Sequence, residues 1–172
     1  MRSWSIFVLG AGLGLLIGSG VATPVVKGQT ANPLGGPLSH VALVVNNVDE
    51  TARGLSDIFG VKVPEARVIR NVKYPPSYPG VLMNGKFITM QVNGVSFEMI
   101  EPLDGQSPWK DFLLAHGEGV HHVGFTVPDS DEARKVLESK GGRWTQDFAP
   151  VAAYVDMHPR FPITFEVVSP RK

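Results

Sequence analysis

The chain contains no cysteine. That excludes a disulfide framework, a thiolate metal site, a cysteine nucleophile and a lipoprotein attachment residue. The lack of cysteine is neutral about compartment. Net charge is also missing: 16 Lys and Arg balance 16 Asp and Glu, which argues against a nucleic-acid partner. What is present in quantity is apolar: 43% of the 172 residues, enough for a sizeable core. The length suits one domain with an N-terminal extension.

Residues 1–31 stand apart. Arg2 precedes an apolar run from Ile6 to Val21, interrupted by Gly10, Gly12, Gly14, Gly18 and Gly20. A short basic start and an apolar centre predict a secretory signal, with cleavage after Ala22 or Ala31. The run also approaches the ~20 residues that span a bilayer, so a membrane anchor over 6–21 is the alternative. The first reading places the mature protein outside the cytoplasm, in a periplasmic or extracellular space. Residues 32–37, Asn-Pro-Leu-Gly-Gly-Pro, read as a linker.

From residue 38 onward the chain repeats itself. His40-Val41-Ala42 matches His122-Val123-Gly124 without gaps. Asp49-Glu50 then matches Asp131-Glu132, Leu55 matches Leu137, and Gly60 matches Gly142. A second correspondence sets Ser96-Phe97-Glu98-Met99-Ile100-Glu101-Pro102 against Thr164-Phe165-Glu166-Val167-Val168-Ser169-Pro170. Each half opens with a histidine strand and closes with a Phe-Glu strand. This is a duplicated supersecondary unit, and each half needs the other to cover its apolar face. Module one spans 38–105 and module two 119–171.

The elements follow in order. A strand over 39–46 leads to a helix from Asp49 to Phe59, with Asp49 as its N-cap and Gly60 as its stop. A short strand is expected near Ala66 to Arg70. Residues 71–80, with Tyr74, Pro75, Pro76, Tyr78 and Pro79, form a loop and a candidate pocket rim. Lys86–Val92 and Gly94–Ile100 make a hairpin around Asn93-Gly94. A helix from Pro108 to Ala115 starts at Ser107. The second module holds a strand over 120–127, a helix over 130–140, and strands near 142–148, 152–158 and 163–168.

Side chains alternate faces along a strand. His40 therefore shares a face with Ala42 and Val44, and Glu98 with Ser96 and Ile100. A pseudo-twofold pairing of the halves would bring His40, Glu98, His122 and Glu166 to one axis, although the sequence alone does not show that they meet. Two imidazoles and two carboxylates suit a divalent metal such as Zn, Ni, Co or Mn. On the same alternation His121 points to the face opposite His122 and is structural or supports a ligand from behind. Glu101, the rival of Glu98, also lies on the opposite face, and its repeat partner is Ser169. His116 reads as a surface residue.

Leu38-Ser39-His40-Val41-Ala42, Phe97-Glu98-Met99-Ile100-Glu101-Pro102-Leu103, Gly117-Glu118-Gly119-Val120-His121-His122-Val123 and Met157-His158-Pro159 together resemble the vicinal oxygen chelate superfamily. The closest branch is that of the methylmalonyl-CoA epimerase-like proteins. The resemblance covers residues 37–171. It implies an α+β fold in which two βαβββ modules, related by pseudo-twofold symmetry, form a cupped mixed sheet around one metal. It also implies His40, Glu98, His122 and Glu166 as ligands, and places His158 in the pocket wall. The implied chemistry is isomerase, epimerase or lyase: proton removal beside a carbonyl of a small molecule with vicinal oxygens. Glu166 is the first candidate base and Glu98 the second. A further acid of some epimerases would fall in Phe87-Ile88-Thr89-Met90, which holds no carboxylate. An exported protein would also not ordinarily meet coenzyme A thioesters. Two alternatives are a Fe(II) extradiol-type dioxygenase and a non-catalytic small-molecule binding protein. Paired modules in this family assemble within or between chains, so a homodimer is open.

Overall fold

The computed structural model describes residues 32–73, 82–148, 151–158, 160 and 162–170. The expected leader over 1–31 and the pocket rim at Tyr74 to Pro79 lie outside the described residues. Within them the chain runs β1 (Leu38–Val44), α1 (Val48–Phe59), β2 (Arg67–Lys73), β3 (Leu82–Val92), β4 (Val95–Pro102), α2 (Pro108–His116), β5 (Gly119–Thr126), α3 (Ser130–Ser139), β6 (Arg143–Asp147), β7 (Ala152–Asp156) and β8 (Thr164–Val168). The two βαβββ units are β1 to β4 and β5 to β8.

All eight strands belong to one sheet, in the order β2-β3-β4-β1-β5-β8-β7-β6. That order reads the same from either edge once each strand is exchanged for its repeat partner. β1 pairs parallel with β4, and β5 parallel with β8. The halves join where β1 runs antiparallel to β5, with Val41 opposite Val123. These two residues are repeat partners, so the pseudo-twofold axis passes between them.

Local chemistry explains most boundaries. The N-cap of α1 is Asn47, not Asp49: its side chain accepts the Asp49 and Glu50 N–H groups. Asp49 is left free to pair with Lys86 of β3. Gly60 closes α1 in the left-handed region at φ 68, as a C-cap glycine does. Asn93 and Gly94 turn the β3–β4 hairpin with φ of 50 and 83, the positive values a two-residue hairpin loop asks for. Ser107 accepts the Lys110 N–H, and Pro108 occupies the first turn of α2. Asp129 accepts the Glu132 N–H at the start of α3. Residues 32–37 form a turn in which Gly35 N–H reaches the Asn32 carbonyl and the Pro37 carbonyl accepts from Thr126 N–H.

The helices divide the two faces of the sheet. α1 lays Val48 and Ala52 on Ile88, Met90, Val92 and Met99. α3 lays Ala133 and Leu137 on Ala153, Val155 and Val167. Both groups sit on the face opposite Glu98 and Glu166 by strand alternation. α2 takes the other face. Its Trp109, Phe112 and Leu113 pack with Ala42, Val44, Phe87, Ile100 and Tyr154. The connecting helix thus fills part of the cup whose open part holds the site.

Candidate metal centre

Two rows of side chains cross the concave face at its centre. In the first, Thr89 faces Glu98, Glu98 faces Ala42, and Ala42 faces His122. In the second, Tyr154 faces Glu166, Glu166 faces Gly124, and Gly124 faces His40. Each row is the repeat of the other. Each histidine therefore stands opposite a small residue, and the two rings lean together over the axis. The room is tight on one side. A Cβ at Gly124 would lie 2.1 Å from Cε1 of His40, so the His40 ring occupies the space any side chain there would fill.

Three donor atoms converge. His40 Nε2 lies 3.1 Å from His122 Nε2 and 3.1 Å from Glu166 Oε2. His122 Nε2 lies 3.4 Å from the same carboxylate oxygen. Three donors each about 2.1 Å from a common ion are about 3.0 Å apart in octahedral and about 3.4 Å apart in tetrahedral geometry. His40, His122 and Glu166 fit a divalent cation on that criterion, and their nitrogen and oxygen atoms suit the same ions. Glu98 stands slightly outside: its Oε2 is 3.9 Å from His40 Nε2.

The two carboxylates differ electrostatically. For Glu166, burial pushes the pKa up, but hydrogen bonds from His122 and His40, and their charges, bring it down to about 2. Burial and the neighbouring Glu166 charge push Glu98 up, against the pull of His122, His40 and Arg67. His40 is opposed by burial, yet its hydrogen bond to Glu166 and the Glu166 and Glu98 charges raise it overall.

Behind the donors lies a second set of contacts. The β1–β5 register slips twice: Ser39 and His121 are both skipped by the pairing. They are repeat partners, and each immediately precedes a donor histidine. A bulge of this kind re-aims the extra residue. Ser39 Oγ lies 2.9 Å from His40 Nδ1, and His121 Nδ1 lies 2.9 Å from His122 Nδ1. The expectation that His121 points to the opposite face is therefore wrong. Regular alternation fails at the bulge, and the His121 ring sits beside the His122 ring, between Phe112 of α2 and Tyr154. Burial, joined by the His122 charge, pushes its pKa down to about 3. Tyr154 packs against His122 at 4.6 Å between centroids and accepts a hydrogen bond from Trp109 Nε1 at 3.1 Å.

The other candidates have different duties. Glu101 accepts the Val48 N–H at the start of α1. His116 is exposed, its ring against Phe112. His158 is 58% exposed and bonds through Nδ1 to Asp156 at 2.5 Å. No pairwise motif pointed to Tyr154 or Trp109. Their meeting joins α2 to β7 across 45 residues, a separation no local pattern spans.

The chain is similar to known proteins. The family model described as Glyoxalase/Bleomycin resistance protein/Dioxygenase superfamily matches residues 39–157. Mitochondrial methylmalonyl-CoA epimerase of Mus musculus is 26% identical over 151 residues, covering 84% of this chain and 79% of that protein. Its Dictyostelium discoideum counterpart is 25% identical over 130 residues, covering 73% and 72%. Among solved structures, methylmalonyl-CoA epimerase from Mycobacterium tuberculosis superposes with a TM-score of 0.59 at 18% identity, covering 84% of this chain and 95% of that one.

Proposed function

The chain belongs to the Glyoxalase/Bleomycin resistance protein/Dioxygenase superfamily, and we propose that it is a metal-dependent isomerase or epimerase of that family. The observation that carries this reading is the convergence of His40, His122 and Glu166 donors at 3.1 to 3.4 Å. These three residues would hold a divalent ion, with Zn, Ni, Co and Mn all matching the donor set. When bound, the ion supplies Lewis-acid stabilisation of the negative charge that develops on a carbonyl oxygen as the neighbouring C–H proton leaves.

The protein's own part is the proton. Glu98 is the first candidate base, ahead of Glu166. It lies outside the tight cluster yet within 3.9 Å of His40, so it has room to approach a substrate carbon. Its raised pKa brings it nearer the range where a carboxylate accepts a proton well. Glu166, hydrogen-bonded by both histidines, is better placed as a fixed ligand. Glu98 can also serve as a fourth ligand and exchange between the two roles. Thr89, in register with Glu98, offers no second carboxylate. A proton returned to the opposite face of the carbon must therefore come from another group or from solvent.

The substrate class is a small molecule with a carbonyl and an adjacent oxygen. The relatives' names suggest an acyl thioester, while a secretory leader or membrane anchor, the two readings of residues 1–31, would argue for export in the first case and hence a smaller oxygenated metabolite. The test uses purified full chain loaded with metal. Candidate thioesters and 2-oxygenated acids are incubated in D2O, and loss of the α-proton signal is followed by NMR. Exchange is expected in the wild type. Glu98→Gln is expected to slow it by about 10²- to 10⁴-fold while retaining bound metal, whereas Glu166→Gln is expected to lose the metal. Protein that cannot be loaded with any of the four ions would sink this reading and favour a binding module.

One geometric feature supports a second reading. Two histidines and one carboxylate, with Glu98 outside the cluster, are also the ligand set of Fe(II) oxygenases. Oxygen uptake by Fe(II)-loaded protein, with no proton exchange, would select it.

A further inference from the structure

The two walls of the cup are not alike. In module two the wall beside Glu166 is closed. Tyr154 faces Glu166 and is 2% exposed. Phe148, whose N–H bonds the Ala152 carbonyl, packs its ring against Tyr154 at 4.9 Å between centroids. In module one the wall beside Glu98 is open. Thr89 faces Glu98 as Tyr154 faces Glu166, yet Thr89 is exposed. Gln91, two residues on and so on the same face, is exposed as well. Solvent therefore reaches the site over β3.

Arg67 stands on this open wall. It faces Phe87, and Phe87 faces Ile100. The same position in module two belongs to Phe148, because Ala152 faces Val168, the repeat partner of Ile100. Where module two has a phenylalanine, module one has a cation. The Arg67 guanidinium carbon lies 4.9 Å from the centroid of the Phe87 ring. Cation–π attraction holds the planar group there, and its N–H fork remains able to bond an oxyanion at the ring's edge. Arg143 of module two also faces the concave side by register, but it pairs with Asp156 at 2.9 Å. Arg67 forms no ion pair among the described residues.

We propose that Arg67 is a specificity-determining residue that takes an oxyanion, a carboxylate or a phosphate, carried by the substrate away from its reacting carbon. This inference deepens the proposed function and rests on it. The reacting end lies at His40, His122 and Glu166, and the rest of the substrate lies across β3 against Thr89 and Phe87. Phe87 and Glu98 are diagonal neighbours on β3 and β4, about 7–8 Å apart. A few methylene groups between carbonyl and anion span that distance. A guanidinium fork matches carboxylate and phosphate oxygens in pairs, so it rewards either and rejects an uncharged chain of the same length.

The test is calorimetric titration of the Zn2+-loaded full chain with 2-oxo acids, whose vicinal oxygens suit the metal. 2-Oxoglutarate and 2-oxoadipate carry a distal carboxylate. 2-Oxopentanoate and 2-oxohexanoate are their uncharged counterparts, and 2-oxo-4-phosphonobutanoate carries a phosphonate. At one chain length the charged probe is expected to bind about 10- to 100-fold tighter than the uncharged one. Arg67→Gln is expected to bring that ratio close to one, and Arg67→Lys, which keeps the charge without the fork, to retain part of it. The better of carboxylate and phosphonate identifies the anion. Equal affinity of charged and uncharged probes in the wild type overturns the proposal and leaves the metal reading standing. So does a preference that survives in Arg67→Gln. Protein that takes up no Zn2+ overturns the metal reading instead. Glutarate against pentanoate on that metal-free protein then decides Arg67: a preference lost in Arg67→Gln upholds its role, and no preference or no binding overturns it. Unfolding midpoints check that both variants remain folded.

Discussion

The two modules use the same strand order and the same donor types, yet they build unequal halves of one site. In module two, His122 is fully buried, backed by a histidine, and packed at a tilt against Tyr154. In module one, His40 keeps 14% of its side chain exposed and is backed by a serine. The carboxylates diverge in the same sense. Glu166 is drawn down to about 2 by both imidazoles, whereas Glu98 is pushed up by burial and by Glu166. Duplication supplied two equivalent His-Glu pairs. Divergence in the surrounding contacts buried the His122–Glu166 pair more deeply than the His40–Glu98 pair.

The comparison breaks most visibly at the histidines. His122→Ala is expected to abolish metal binding and also to cost about 2 kcal/mol or more of stability, because it empties a fully buried site. His40→Ala should abolish metal binding with a smaller loss of stability, since its ring is partly exposed. Elemental analysis beside denaturant unfolding in chelator separates the two. Equal destabilisation would show that the asymmetry of burial has no energetic weight.

A finer test exchanges the small residues opposite the rings. Gly124→Ala puts a methyl group into the space of the His40 ring. Displacing a group in the site by about 1 Å costs about 10²-fold in turnover, and a loss of that order is expected. The mirror change, Ala42→Gly, removes a methyl group opposite His122 and should cost about 0.5–1 kcal/mol of stability through backbone freedom, with turnover nearly unchanged. Steady-state proton exchange and thermal unfolding on the pair give the answer. Equal losses of turnover would mean that the two rings are equally crowded.

The smallest expected effect lies at the far end of β7. Burial pushes the Asp156 carboxyl up, but the His158 N–H, the Arg143 guanidinium and the His158 ring together hold it below its ordinary range. A depressed folded-state pKa means that this contribution is complete above the unfolded-state value and is lost as pH falls through the folded one. Asp156→Asn should flatten the stability profile in that acid window and leave it unchanged in shape near neutrality. The corresponding position of module one, facing Ser96 as Asp156 faces Thr164, is the uncharged Gln91. Gln91→Asn should accordingly leave the acid limb alone. An unaltered acid limb in Asp156→Asn would remove this difference between the modules.

Much of this architecture was legible in the residues. The repeat offset that matches His40 to His122 is the one the β1–β5 pairing uses, with Val41 opposite Val123. The Asn93-Gly94 hairpin, Gly60, and Ser107-Pro108 carried their own turn and cap chemistry, and each formed where those residues stand. The N-cap of α1 lies two residues before Asp49, because Asn47 and Asp49 both suit a cap and only the pairing of Asp49 with Lys86 chooses between them. His121 departs from the face that alternation predicts for a different reason. Alternation is a rule for regular strands, and a bulge depends on how the partner strand is registered.

The sequence by itself determined the duplicated modules, the alternation that puts His40 on the face of Ala42 and Glu98 on the face of Ser96, and the imidazole and carboxylate donors that suit a divalent ion. These are properties of local spacing and side-chain identity, present before any strand finds its partner. Only the tertiary structure decided that Glu98 stands apart from the tight cluster, that α2 enters the cup, and that His121 backs His122. Each of those depends on register and packing between segments distant in the chain. There the energy of burying Trp109 and Tyr154 together outweighs anything that neighbouring residues specify on their own.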